Sequence, residues 1–127
     1  MASDASNAPK PVGPYSPIVR AGDWLVCSGQ LGLASGQLVD GLAAQVTQAL
    51  ANVETLLTSQ GASLTDVVKT TVFLTDMADF GAMNQAYAAA FGDHRPARSA
   101  FAVAGLPLGA AVEIEVWAFT NSGRSGS

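Results

Sequence analysis

Apolar and polar residues alternate along this chain with two different periods. Over residues 42–57, apolar side chains recur every three or four positions, which is the spacing of one face of a helix. A second run with helical spacing covers residues 76–91, and Asp76 and Asp79 are typical of the beginning of a helix. The pattern therefore predicts two amphipathic helices.

The other apolar runs have the composition of β-strands. Residues 67–75 form the strongest of them, because β-branched and aromatic side chains dominate the segment. Val68, Thr70, Val72 and Leu74 are predicted to share one face of this strand, and Lys69 the opposite face. Further strands are predicted at residues 23–28, 31–33, 37–39, 98–103 and 111–119.

The order of these elements predicts the fold class. Strands followed by a helix, a strand, a helix and two strands are typical of a single α+β domain, in which both helices pack on one face of a mixed β-sheet. The other face then needs a cover, because an open apolar sheet is an assembly surface. Residues 1–11 and 121–127 have the composition of flexible ends, so the domain is predicted to span residues 12–120.

Charge is scarce in this chain, and its scarcity excludes several functions. Only 13% of the 127 residues are charged, about half of the usual share of roughly 25%. Six Lys or Arg residues against ten Asp or Glu residues give a formal net charge of −4, which argues against nucleic acid as a partner. The first residues do not resemble a secretory signal, and no apolar run is long enough to span a bilayer, so no membrane partner is expected.

Apolar residues and glycine together make up a larger share of this chain than of most soluble domains, and this apolar excess has two explanations. One is coding bias, since much of the excess is alanine, and the other is burial of the open sheet face against a second copy of the chain. A single cysteine, Cys27, cannot form an internal disulfide, which favours a reducing cytoplasmic location. With one Cys and one His, His94, the chain lacks the ligands of a structural zinc site, and neither a metal nor a cofactor is predicted.

Arg98 stands out because it enters an alanine-rich strand of a chain that has few charges. A guanidinium that is buried without a partner is costly, so Arg98 needs an anion. The anion is either one of the chain's own carboxylates, of which Glu113, Glu115 and Asp93 are candidates, or the carboxylate of a substrate. The planar fork of arginine suits the second case particularly well.

Glu113 and Glu115 lie two positions apart in the last predicted strand and therefore on one face. They either hold a water molecule or simply form the wetter face of the sheet. A symmetric hairpin across residues 105–109 would place Arg98 opposite Val116, on the face away from Glu113. Bringing Arg98 and Glu113 together then requires a bulge, another strand pairing or a neighbouring subunit.

Several short motifs, taken in order, resemble the RidA/YjgF family of enamine/imine deaminases over residues 12–119. They are Gly13-Pro-Tyr-Ser16, Cys27-Ser-Gly-Gln30, Val68-Lys-Thr-Thr-Val-Phe-Leu74 and Pro96-Ala-Arg-Ser99, followed by Leu106-Pro107 and Val112-Glu-Ile-Glu115. The resemblance implies a fold similar to the bacterial chorismate-mutase type. It also implies a homotrimer whose sheets form a central barrel and whose active sites lie between subunits.

The resemblance implies a reaction as well: hydrolysis of 2-imino acids, or their enamine tautomers, to 2-oxo acids and ammonia. Such imines are reactive products of pyridoxal-phosphate enzymes, and no cofactor is implied for their hydrolysis. Arg98 would bind the substrate carboxylate and Glu113 would position the attacking water. Tyr15, Ser28 and Asn84 would line the pocket. The alternative is a small-molecule-binding or holdase-like protein of the same fold with little turnover.

The chain also departs from the family pattern near the predicted site. Ala100 stands where many deaminating members have cysteine, and the segment before Pro96 is short and reads His94-Arg95. Gly32 stands where proline is common. The resemblance therefore leaves pocket size and substrate preference open.

Overall fold

The computed structural model describes residues 10–11 and 13–120. Its strands are β1 (Ile18–Ala21), β2 (Trp24–Leu31), β3 (Leu33–Ala34), β4 (Gln37–Leu38), β5 (Val67–Leu74), β6 (Ala97–Ala102) and β7 (Val112–Phe119). Its helices are α1 (Leu42–Ser59) and α2 (Phe80–Phe91). The predicted flexible ends lie outside the described residues, apart from Lys10 and Pro11.

Five strands form one sheet in the order β1-β2-β7-β5-β6. The β5–β6 pair is parallel and the other neighbours are antiparallel, while β3 and β4 pair separately. Both helices contribute to one hydrophobic core on a single face of this sheet. These features confirm the predicted α+β domain with a mixed sheet and two helices.

Strand β7 shows how the alternating pattern positions side chains in this sheet. Its fully buried residues are Val112, Ile114, Val116 and Ala118. Glu113 and Glu115 alternate with them, so both carboxylates point away from the helices. The opposite orientation of the two sets was predicted from the sequence and is confirmed.

Two buried polar residues of α1 secure the loops beside the sheet. The Nδ2 atom of Asn52 donates to the carbonyl oxygens of Leu31 and Leu33, both at 3.0 Å. The Oε1 atom of Gln45 accepts from the backbone nitrogen of Ala111 at 2.9 Å. Since buried polar groups that lack partners are costly, these bonds hold the end of β2 and the approach to β7 at fixed positions.

A bulge in β5 changes which residues reach the core. Val67 and Lys69 pair with consecutive residues of β7, so Val68 is the extra residue between them. Val67 is buried, whereas Val68 is 44% exposed. The prediction that Val68 and Val72 share one face was therefore wrong, because a bulge shifts the alternation of a strand by one residue.

Other element boundaries also differ from the predictions. The strands that the 105–109 connection joins are not neighbours, since β5 lies between β6 and β7, and the symmetric hairpin does not form. Strand β1 was not predicted. Asp76 caps a short 3₁₀ turn, whose Ala78 nitrogen donates to its carboxylate at 2.9 Å, and the α-helix begins only at Phe80.

The bulge leads to a prediction about stability. Val72 is fully buried and Val68 is 44% exposed in the same strand. We expect Val72→Ala to lower the free energy of unfolding by about 2 kcal/mol, because methyl groups leave a packed core. Val68→Ala, the matched control, should cost less than about 1 kcal/mol. Urea unfolding at equal protein concentrations measures both free energies. Equal losses of stability in the two variants would contradict the placement of Val68 outside the core.

Candidate functional site

Arg98 lies in the edge strand β6 and faces α2. Its partner in β5 is Thr70, a buried residue whose hydroxyl lies 2.7 Å from the hydroxyl of Tyr87. The guanidinium carbon of Arg98 lies 4.9 Å from the centre of the Tyr87 ring and 5.6 Å from that of Phe80. Its Nη1 atom donates to Oδ1 of Asn84 at 2.8 Å. Two aromatic rings and one amide therefore hold the guanidinium in place without neutralising it.

Within the described part of the chain, Arg98 forms no ion pair with a carboxylate. Its other polar contact is a weak one from Nη1 to the sulfur of Met83 at 3.8 Å. The internal salt bridge to Glu113, Glu115 or Asp93, one of the two explanations for this residue, does not form. The positive charge therefore remains available to an anionic ligand.

The Arg98 side chain borders a surface cleft with a volume of about 280 Å³. We call this cleft the arginine cleft; its lining residues are Asn84, Tyr87, Ala88, Arg95, Pro96 and Arg98. Burial raises the pKa of Tyr87, whereas the Thr70 hydrogen bond and the charges of Arg98 and Arg95 lower it. The cleft combines positive charge with apolar walls, which suits a small molecule that carries a carboxylate.

Glu113 lies on the opposite face of the sheet, with its carboxylate against Gly29. A Cβ atom added at Gly29 would come within 2.0 Å of Oε2 of Glu113, so only glycine leaves room for the carboxylate there. Burial raises the pKa of Glu113, and the neighbouring charge of Glu115 raises it further. A carboxylate with a raised pKa has more basic character, which suits the acceptance of a proton from water.

Tyr15 and Ser28 lie near the same glycine. Tyr15 lines a small pocket together with Gly29. The Oγ atom of Ser28 donates to the carbonyl oxygen of Ser16 at 2.7 Å, which fastens the segment of Tyr15 to the sheet. We call Tyr15, Ser28, Gly29 and Glu113 the glutamate group. Because the hydroxyl proton of Ser28 is used in this hydrogen bond to the backbone, Ser28 positions the segment that carries Tyr15.

The predicted site residues therefore fall on two faces of one sheet. Arg98 faces α2, which carries Asn84, whereas Glu113 lies on the face without helices. The pairing of β6 with β5 does not bring Arg98 and Glu113 together. For both residues to act on one substrate, a neighbouring subunit must supply one of them.

Three residues belong to the candidate site although the sequence did not predict a role for them there. Gly29 is required by the close approach of Glu113. Tyr87 was assigned only to the helix stripe, although a buried tyrosine needs a hydrogen-bond partner, which could have signalled its role. Arg95 was placed near the predicted pocket, in the short segment before Pro96, without a role, and it lines the arginine cleft.

Other candidate groups are accounted for by the fold. Burial raises the pKa of Cys27 to about 12, so its thiol stays protonated, as a structural cysteine requires. Among residues 10–11 and 13–120, no cluster of His, Cys, Asp and Glu could hold a metal ion. The helices of this part are also too short or too polar to cross a membrane.

Comparisons with known proteins agree with this fold and show the family of the chain. The family model described as Endoribonuclease L-PSP matches residues 5–120. A RutC family protein of Pyrococcus horikoshii is 45% identical over 116 residues, which cover 89% of this chain and 92% of the relative. The mouse protein named 2-iminobutanoate/2-iminopropanoate deaminase is 46% identical over 113 residues, covering 87% and 84%.

Solved structures of related proteins have the same fold as this chain. The crystal structure of RidA from the Antarctic bacterium Psychrobacter sp. has a TM-score of 0.87 and 41% identity, covering 89% of this chain and 94% of that one. The structure of Escherichia coli TdcF with bound serine has a TM-score of 0.85 and 35% identity, covering 89% and 93%. This chain belongs to the endoribonuclease L-PSP family, which is the RidA/YjgF family.

Proposed function

We propose that this protein hydrolyses 2-imino acids and their enamine tautomers to 2-oxo acids and ammonia. The observation that carries the proposal is the Arg98 guanidinium, which two aromatic rings and Asn84 hold at the arginine cleft without a carboxylate partner among the described residues. Mammalian relatives at about 45% identity are named imine deaminases. A related structure holds serine, an amino acid of similar size to these substrates.

The family description names a ribonuclease, but the charge of this chain argues against nucleic acid as its substrate. Six Lys or Arg residues against ten Asp or Glu residues cannot form the broad basic surface that phosphate backbones require. A small anionic molecule needs only one well-placed guanidinium. We therefore propose neither a nucleic-acid nor a membrane partner, and we propose the cytoplasm as the location.

We also propose that the protein acts as a homotrimer with a barrel of the chorismate-mutase type and with active sites between subunits. Arg98 and Glu113 lie on opposite faces of one chain, so a shared substrate needs two chains. The face without helices is rich in aromatic side chains, with Trp117 and Phe119 45% and 48% exposed. Trp24 packs edge-on against both of them. Burial of this face between subunits would explain the apolar excess of the chain.

Each residue then has a defined part in the reaction. Arg98 binds the carboxylate of the substrate and thereby holds the neighbouring C=N carbon in place. Glu113 takes a proton from a water molecule as its oxygen attacks that carbon, and this proton passes to the imine nitrogen, which becomes an amine. The second proton of the water moves from the new hydroxyl to the amine as the C–N bond breaks, so ammonia leaves, the carbonyl forms and one water molecule is consumed. The imine carbon is already electrophilic, so no covalent nucleophile is needed.

The function is tested by generating 2-iminopropanoate or 2-iminobutanoate in situ. An amino-acid oxidase supplies the imine, and semicarbazide traps the fraction that is not yet hydrolysed. We expect the purified protein to reduce the trapped fraction well below the level set by spontaneous hydrolysis. If the protein does not accelerate hydrolysis of either imine, the non-catalytic binding protein is the better description.

The raised pKa of Glu113 leads to a prediction about pH. A base must be ionised to act, so kcat/KM should fall as the pH drops through the pKa of Glu113, which lies above its ordinary value of 4.5. Glu115→Gln removes one cause of the increase, so the acidic limb of the profile should move to lower pH. Glu54→Gln, an equal charge change on the exposed side of α1, serves as the control. Identical limbs in wild type and Glu115→Gln would contradict this electrostatic coupling.

A further inference from the structure

The arginine cleft is lined by positive charge, although the chain as a whole has a negative net charge. Arg95 and Arg98, two of the six Lys and Arg residues, line it together. No acidic side chain belongs to the lining, although the chain has a formal net charge of −4. One guanidinium is enough for a single carboxylate, so the second one needs an explanation.

The loop between α2 and β6 holds Arg95 at a fixed position. Nη1 of Arg95 donates to the carbonyl oxygens of Gly92 and, at 3.0 Å, of His94. His94 is anchored in turn, since its Nε2 lies 2.7 Å from the carbonyl oxygen of Val67 and must carry the proton. Within the described residues, Nη2 and Nε of Arg95 have no hydrogen-bond partner. Arg95 therefore offers donors from an anchored loop.

Arg95 and Arg98 both line the arginine cleft, together with Tyr87. The charges of Arg98 and Arg95 each lower the pKa of Tyr87, whose side chain lies between α2 and the sheet. Arg95 and Arg98 are separated by three residue steps, which span at most about 10 Å of extended backbone. Two arginine side chains at this separation can bind the two ends of one short molecule.

We propose that Arg95 makes this site selective for 2-imino acids that carry a second carboxylate on a four- or five-carbon chain. Arg98 binds the carboxylate next to the imine, and Arg95 binds the distal carboxylate. The inference rests on the proposed imine hydrolysis and specifies its substrate class. It also gives a function to the short His94-Arg95 segment that departs from the family pattern.

The test compares two imines that differ in the second carboxylate. Amino-acid oxidases generate a monocarboxylic imine from alanine and a dicarboxylic imine from aspartate or glutamate, and kcat/KM is measured for each. We expect the wild type to prefer the dicarboxylic imine. Arg95→Gln should lower the preference about tenfold, mainly through KM, because one charge-assisted contact is lost. Arg95→Lys should retain part of the preference, since it keeps the charge.

Thr47→Glu provides the matched control. This exposed position in α1 lies outside the cleft lining, and the substitution changes the net charge by the same amount as Arg95→Gln. The preference should not change in Thr47→Glu. A similar decrease in both variants would show that net charge alone sets the preference, and would overturn the role of Arg95.

The remaining outcomes separate this inference from the proposed function. If the wild type hydrolyses neither imine, both fail. If it hydrolyses the monocarboxylic imine but Arg95→Gln leaves the preference unchanged, only the inference fails. The inference is also overturned if Arg95→Gln lowers both rates equally. It is likewise overturned if the variant dissociates the assembly in a mass measurement, since Arg95 would then bind a neighbouring subunit.

Discussion

Replacing Arg98 with alanine should abolish imine hydrolysis while the protein remains folded and assembled. Arg98 presents a planar fork that can donate two charge-assisted hydrogen bonds to a carboxylate, each worth about 1.5–3 kcal/mol. Their loss should lower kcat/KM by at least about 100-fold. The effect should appear in KM as well as in kcat, because the carboxylate both binds the substrate and orients its C=N carbon.

Arg98→Lys separates charge from geometry in this experiment. Lysine keeps the positive charge but loses the fork and its contacts with the rings of Phe80 and Tyr87, so its activity should lie between those of wild type and Arg98→Ala. Melting temperature and assembly mass should be measured for all three proteins. Activity at the wild-type level in folded Arg98→Ala would rule out Arg98 as the carboxylate-binding residue.

Glu113→Gln should lower kcat by about 10²- to 10⁴-fold, the range typical of losing a general base. Glutamine has nearly the same shape as glutamate but cannot accept a proton from water. KM should change little, since Glu113 acts on the water and Arg98 binds the carboxylate. Single-turnover hydrolysis measured above the pKa of Glu113 gives the effect directly, and an unchanged kcat would show that another group activates the water.

Gly29→Ala tests the position of the same carboxylate without changing its chemistry. The added Cβ atom would lie 2.0 Å from Oε2 of Glu113, so the carboxylate has to move and kcat should fall. Gly81→Ala is the matched control, because a Cβ there meets nothing within 4 Å and alanine favours a helix. Full activity in Gly29→Ala would mean that the observed position of Glu113 is not needed for the reaction.

The sequence predicted most of the secondary structure because local periodicity decides it. The buried stripe of α1 and the alternation of β7 follow directly from helical and strand spacing, and both are confirmed. Local pattern did not reveal strand β1, the bulge at Val68 or the position of β5 between β6 and β7. These features depend on which strands pair, and pairing involves residues far apart in the chain.

For the candidate site, the sequence by itself singled out Arg98 and Glu113, since charge is rare and each stands in an apolar strand. Only the tertiary structure decided their surroundings. It placed Arg98 beside two aromatic rings of α2, put Arg95 beside the same cleft, and set Glu113 against Gly29 on the other face. The physical reason is that residue type determines which chemistry is possible, whereas strand order and side-chain packing determine which groups meet.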